Sequence, residues 1–96
     1  MDFRVEITDP AIADLAEIVS YIAQHNPAAG TALGNNLLDA ALSLADTPHK
    51  GSRYQELPRI RKMTVPPFKI FYRVNDTTKV VQVLRFWRSA RSEPKL

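Results

Sequence analysis

The sequence predicts an α+β domain of order β-α-α-β-β-β, with a helix hairpin packed on an antiparallel sheet. Three observations carry this expectation. Two segments of helical period meet at Asn26-Pro27 with almost no loop between them, and three segments of period two follow Pro48. The connections between those last three are far shorter than the dozen or so residues that a parallel crossover requires.

Taken in order, Phe3, Val5 and Ile7 alternate with Arg4 and Glu6, the pattern of a strand with one buried face. Thr8 or Asp9 can cap a helix that holds Pro10 in its first turn, where a missing N–H costs nothing. That helix is expected to run to about His25. Ile12, Leu15, Ile18 or Val19, and Ile22 form its apolar stripe, while Asp14, Glu17 and Gln24 fall mostly on the other side. Asn26-Pro27 repeats the start signal, and the second helix ends before Pro48. Its stripe is Leu33, Leu37, Ala41 and Leu44, broadened by Leu38 and Leu42. Gly30 and Gly34 lie one turn apart inside it, each costing about 1 kcal/mol relative to alanine. Either the two helices approach closely there or Gly30 merely loosens the first turn, and the sequence leaves both open.

His49 to Tyr54 reads as a loop. Strands are expected at Arg59 to Val65, Phe68 to Val74 and Lys79 to Arg88, separated by Pro66-Pro67 and by Asn75-Asp76-Thr77-Thr78. Along the last strand Val81, Val83, Arg85 and Trp87 share one face and Val80, Gln82, Leu84, Phe86 and Arg88 the other, so the strand is expected inside the sheet. Arg85 stands out among these apolar residues. It needs a partner, either Glu6, Glu56 or a bound carboxylate or phosphate, or a stacking contact with Trp87. Tyr54, Phe68, Phe71 and Tyr72 are expected to be mostly core, with Tyr72 the one to be exposed because its hydroxyl needs a partner.

Length and composition bound the rest. Ninety-six residues, 45% hydrophobic and 24% charged, make one globular domain (1–96) that needs no disulfide or metal to fold. No apolar run approaches the roughly 20 residues of a membrane span, the N-terminus has no basic-then-apolar leader pattern, and there is no cysteine. These features point to the cytoplasm, with no membrane partner, no cofactor and no metal.

Charge is the most informative compositional feature. Residues 1–49 carry one base, Arg4, against seven acids, a balance of −6; from Lys50 onward twelve bases face three acids, a balance of +9. A basic half on a small protein finds a negative partner, nucleic acid or an acidic protein segment. Arg59, Arg61, Lys62 and Lys69 place cations on neighbouring strands, and Arg85, Arg88 and Arg91 cluster in sequence around Trp87. Catalytic patterns are poor by comparison. His25, His49 and the serines lack the spacing of a metal site, triad or nucleophile elbow, so no catalytic set is assigned.

The element order, the helix segment Asp14 to Ile22, the loop from Pro48 to Gly51, the strand Phe68-Lys69-Ile70-Phe71-Tyr72-Arg73-Val74 and the ending Val83-Leu84-Arg85-Phe86-Trp87-Arg88-Ser89-Ala90-Arg91 together resemble the RelE/ParE toxins of bacterial type II toxin–antitoxin pairs. The resemblance spans nearly the whole chain. It implies one of two activities: ribosome-dependent cleavage of messenger RNA, as in RelE-type members, or inhibition of DNA gyrase, as in ParE-type members. It also implies a cognate antitoxin, ParD-like or similar, whose acidic disordered tail is drawn to the basic half while apolar anchors fill grooves beside the hairpin. RelE-type enzymes often carry a Tyr or His near the C-terminus as acid or base, and here the chain ends Pro94-Lys95-Leu96 with Ser89 between Arg88 and Arg91. The loop from Pro48 to Leu57 and the Leu-Arg-x-Trp-x-x-Ala-Arg ending look more like ParE, although Arg88 stands where many ParE relatives have His. The expectation is therefore a gyrase inhibitor rather than an endoribonuclease. Its target- or antitoxin-binding residues are sought among Arg59, Arg61, Lys62, Lys69, Arg85, Trp87, Arg88 and Arg91.

Overall fold

The computed structural model describes residues 3–96, so Met1 and Asp2, which enter the charge count and the leader reading, lie outside the described residues. Strand β1 (Arg4–Ile7) leads into helices α1 (Asp9–Ala23) and α2 (Pro27–Leu42), and a turn of 3₁₀ helix, Ser43–Ala45, closes the hairpin. Four strands follow: β2 (Ser52–Tyr54), β3 (Leu57–Val65), β4 (Phe68–Asn75) and β5 (Val80–Arg88). The sheet order is β1-β5-β4-β3-β2. The last three strands form the expected antiparallel meander, β2 extends it antiparallel to β3, and β1 lies parallel to β5 with Val5 opposite Val81 and Ile7 opposite Val83. Strand β5 is thus interior, as its apolar faces predict.

Strand β2 corrects the reading of His49 to Tyr54 as loop. Three residues are too few to show a period, and Ser52 and Arg53 are exposed, so only the ladder to β3 reveals it. A second correction concerns the faces of β5. Phe71 pairs with Arg85 but Tyr72 pairs with Val83, which leaves Leu84 as the extra residue of a β-bulge. The bulge changes the phase. Phe86 joins Val81 and Val83 under the helices with Met63, Phe68, Ile70 and Tyr72, while Trp87 turns to the opposite face with Tyr54, Ile60, Phe71 and Leu84.

The hairpin covers one face of the sheet. Its start at Asn26 is capped as expected, the side-chain Oδ1 accepting from the Ala29 N–H at 3.1 Å. Thr8 occupies the start of α1 but its hydroxyl donates to the Val83 carbonyl at 2.8 Å, so it ties the helix to β5 instead of capping it. The stripe of α2 is as predicted except that Leu42 is 48% exposed. On α1 the buried residue is Ala11 and Ile12 is 53% exposed, so the stripe runs Ala11, Leu15, Ile18 and takes in Asp14. Both glycines sit where the helices nearly touch. A Cβ at Gly30 would lie 3.0 Å from the Ala23 Cβ and from the Val19 carbonyl oxygen, and one at Gly34 would lie 2.8 Å from Val19 Cγ2.

Tyr72, expected to be the exposed aromatic, is fully buried. Its hydroxyl finds a partner inside, accepting the Gly51 N–H at 2.8 Å, and it pins the loop before β2 to the sheet. Burial raises its phenol above the usual 10.0.

Two outcomes are expected. Gly30→Ala meets backbone and a fixed Cβ, so overpacking of about 1–3 kcal/mol outweighs the gain of about 1 kcal/mol in helix propensity. Gly34→Ala meets only the end of the Val19 side chain and falls nearer to neutral; urea denaturation of the two variants checks the order. Tyr72→Phe leaves the Gly51 N–H unpaired and costs about 1–3 kcal/mol at neutral pH. A tyrosine with a raised folded pKa lends stability that is complete below the unfolded value of 10.0 and is lost as pH rises through the folded one. The melting temperature of the phenylalanine variant should therefore fall less than that of wild type between neutral and strongly alkaline pH.

Candidate functional site

The sheet face away from the helices carries the densest group of predicted site residues. Register brings them together: Lys69 lies opposite Trp87, and Lys62 opposite Phe71, which is itself opposite Arg85. The residues after β5 fold back over this face. The Trp87 indole N–H donates to the Ser92 carbonyl at 2.8 Å, and the side chain of Arg91 lies 4.1 Å from the Trp87 ring centre. Glu93 follows, its Oε1 3.5 Å from Lys62 Nζ and 3.6 Å from Lys69 Nζ, and Pro94 is buried. Each half-exposed ion pair of this kind is worth about 0–1 kcal/mol, so the fold-back is held chiefly by stacking, the indole hydrogen bond and the burial of Pro94.

Arg85 has the partner it needs, but it is none of the acids expected. Asp14 of α1 takes Nε at 2.6 Å and Nη2 at 2.8 Å, a two-pronged pairing that raises the guanidinium pKa against the opposing effect of burial. The same carboxylate accepts the Phe86 N–H at 3.2 Å. Glu6 is engaged with Arg4 at 2.8 Å instead. The stacking alternative holds as well, because the Arg85 guanidinium lies 4.8 Å from the Trp87 ring centre.

The remaining predicted residues are not part of this group. Arg88 pairs with Phe68 and so turns to the helix side, where it lies 5.5 Å from the Tyr21 ring centre. Arg61 donates to the carbonyls of His49 at 3.2 Å and Gly51 at 2.7 Å, beside Tyr72. Arg59 is exposed at the start of β3. The expected cluster of three arginines around Trp87 is therefore Arg85 and Arg91 alone. Tyr54, in the apolar patch beneath Lys62, is kept neutral: burial first, then Glu56 and Glu93, raise its phenol above the usual 10.0.

Sequence reasoning missed Asp14 and Glu93. Asp14 was legible as a carboxylate inside the stripe Ala11, Leu15, Ile18 had the helix phase been set one residue earlier. Glu93 had no signal, since its place depends on how the tail folds back. Removing the Asp14 carboxylate strands a guanidinium and a backbone N–H together. Asp14→Ala should cost about 1–3 kcal/mol, less than a fully buried pair because Arg85 can rehydrate. Asp14→Asn retains an acceptor for the Phe86 N–H and should cost less than Asp14→Ala in the same urea titration.

Comparison with known proteins agrees with this architecture. Residues 5–93 match the family described as the ParE toxin of the type II toxin–antitoxin system parDE. Toxin RelE2 of Caulobacter vibrioides is 37% identical over 81 residues, 84% of this chain and 89% of that one. A chain of the chromosomal ParDE system of P. aeruginosa superposes with a TM-score of 0.76 at 25% identity, covering 91% of this chain and 96% of that one. The RelBE2 toxin–antitoxin complex of Mycobacterium tuberculosis shares the fold, with a TM-score of 0.71 at 20% identity over 92% of this chain and 99% of that one. With the fold, the family match and the relative in agreement, the chain belongs to the ParE toxins of type II toxin–antitoxin systems, within the RelE/ParE superfamily.

Proposed function

We propose that this toxin acts by binding DNA gyrase and is neutralised by a cognate antitoxin of the ParD type. Glu93 is the observation that carries the choice of target. Its carboxylate stands between Lys62 and Lys69, on the face that a RelE-type nuclease would offer to messenger RNA, where it opposes an incoming phosphate. The Tyr54 phenol beneath Lys62 is raised above the usual 10.0 by burial and by Glu56 and Glu93, so the phenolate that would take a proton is still scarcer than in a free tyrosine. Binding to a protein target asks less of this face. Trp87, Arg85 and Arg91 are of the residue types that anchor protein interfaces, and they are already held in place by Asp14 and Ser92.

The antitoxin reading rests on charge and on apolar surface. The strand half of the chain is strongly basic, and Ile12, Tyr21 and Leu42 stand half-exposed on the hairpin as anchors for an acidic, partly apolar segment. The ParDE and RelBE2 neighbours are toxin–antitoxin systems.

One observation favours a second reading, ribosome-dependent cleavage of messenger RNA: the relative at 37% identity is named a RelE toxin. A paired assay decides between them. Purified toxin should inhibit gyrase supercoiling or trap cleaved DNA, and should leave ribosome-bound messenger RNA intact; specific cuts in the RNA with normal supercoiling would reverse the assignment. Arg91→Ala should weaken gyrase inhibition about tenfold or more while costing no more than about 1 kcal/mol of stability, the value of its stacking on Trp87. Arg88→Ala, on the helix side, should cost within about 0.5 kcal/mol and interfere with antitoxin binding before it interferes with the target.

A further inference from the structure

A second basic surface lies at the end of the sheet where β4 turns into β5, at the other end of the sheet from Trp87. It is an open groove of about 840 Å³ lined by five arginines, Arg4, Arg53, Arg59, Arg61 and Arg73, and by two carboxylates, Glu6 and Asp76. Those acids are occupied, Glu6 by Arg4 and Asp76 by His49 at 3.2 Å. Arg61 is fixed by loop carbonyls, and Arg73 donates to Gln82. Arg53 and Arg59 have no hydrogen bond or ion pair among the described residues, and both are exposed.

Arg53 and Arg61 are direct cross-strand partners, and Arg59 is two positions back along β3. Like charges placed opposite each other across strands destabilise a sheet, so this arrangement is one that an arriving anion relieves. Arginine rather than lysine at every cationic position favours planar oxyanions that accept two N–H bonds at once. The lining also separates the kinds of partner. Of its fifteen residues only Pro58, Val74 and Val80 are apolar, so a protein segment would find few pockets for anchors, whereas a phosphate backbone needs none. Asn75, Thr77 and Thr78 on the turn add uncharged groups of the sort that bind phosphate oxygens.

We propose that this groove binds the phosphate backbone of duplex DNA, a second contact that lets the toxin engage gyrase together with its DNA. The choice of duplex DNA over RNA rests on the gyrase reading; the phosphate chemistry does not. The test uses fluorescence anisotropy of the purified toxin with labelled duplex DNA and with single-stranded RNA, across a series of salt concentrations and without gyrase. Binding to the duplex should weaken with salt. The log–log slope should become shallower by about 1 for Arg53→Ala or Arg59→Ala and by about 2 for both, because each phosphate contact contributes about 0.9. Lys95→Ala removes a charge from the tail and should leave the slope unchanged. A slope that the double variant does not alter, or one that Lys95→Ala lowers as much, overturns the site; preference for the RNA overturns the DNA assignment. Because gyrase is absent, a toxin that binds DNA through Arg53 and Arg59 yet fails to inhibit supercoiling upholds the groove and refutes the target instead.

Discussion

One carboxylate joins the two halves of this molecule. Strand β1 ends at Ile7, opposite Val83, so the next residues of β5 have no strand beside them on that edge. Thr8 takes the Val83 carbonyl, and Asp14, one turn and a half into α1, takes the Phe86 N–H and both prongs of Arg85. A helix side chain thus completes the ladder that a longer β1 would have supplied. The bulge at Leu84 makes this possible, because it lets Arg85 reach the helix while Phe86 turns into the core and Trp87 turns out of it.

The consequence reaches the far face. Arg85 is held by Asp14 at one end and stacks on Trp87, Trp87 takes the Ser92 carbonyl, and the tail so anchored places Arg91 on the indole and Glu93 between two lysines. Removing a charge in the helical layer therefore loosens a surface on the other side of the sheet. The close approach at Gly30 and Gly34 serves the same end, since a hairpin splayed by larger residues there would move α1, and Asp14 with it, relative to β5. Charge segregation has its own logic in this design. The acidic helices and basic strands attract each other as layers, and Asp14 with Arg85 turns that diffuse attraction into directed hydrogen bonds.

Much of this was legible from residue order. The hairpin could be read from Asn26-Pro27, the meander from Pro66-Pro67 and the Asn75 turn, and the superfamily from the strand Phe68 to Val74 and the ending around Trp87. What escaped had physical causes. A three-residue strand such as β2 is shorter than the period that would identify it. A bulge is a property of two strands together, so the single sequence of β5 could not reveal that Phe86 and Trp87 had exchanged faces. A phenol needs a partner, which argues for an exposed Tyr72, but the partner is the backbone N–H of Gly51, 21 residues away and invisible to any local pattern. The candidate site suffered most, because Arg88 left the group for the helix side and Glu93 entered it.

The positions of the cations bear on how one basic half can serve more than one partner. Charge alone attracts any polyanion within about a Debye length, roughly 8 Å at physiological salt, and discriminates little. Discrimination must come from what surrounds each cation. On the Trp87 face the cations are partly satisfied and lie over an apolar patch of Tyr54, Ile60, Phe71 and Leu84, so a ligand must displace Glu93 or bring apolar surface of its own. At the β4–β5 end Arg53 and Arg59 are bare and the surroundings polar, so a bare row of phosphates suffices. The two ends of one sheet therefore suit different ligands, an apolar protein surface at Trp87 and a phosphate backbone at the β4–β5 turn. The sorting depends on side-chain surroundings that the fold leaves free to vary, which is how a scaffold shared across the superfamily can be aimed at different targets.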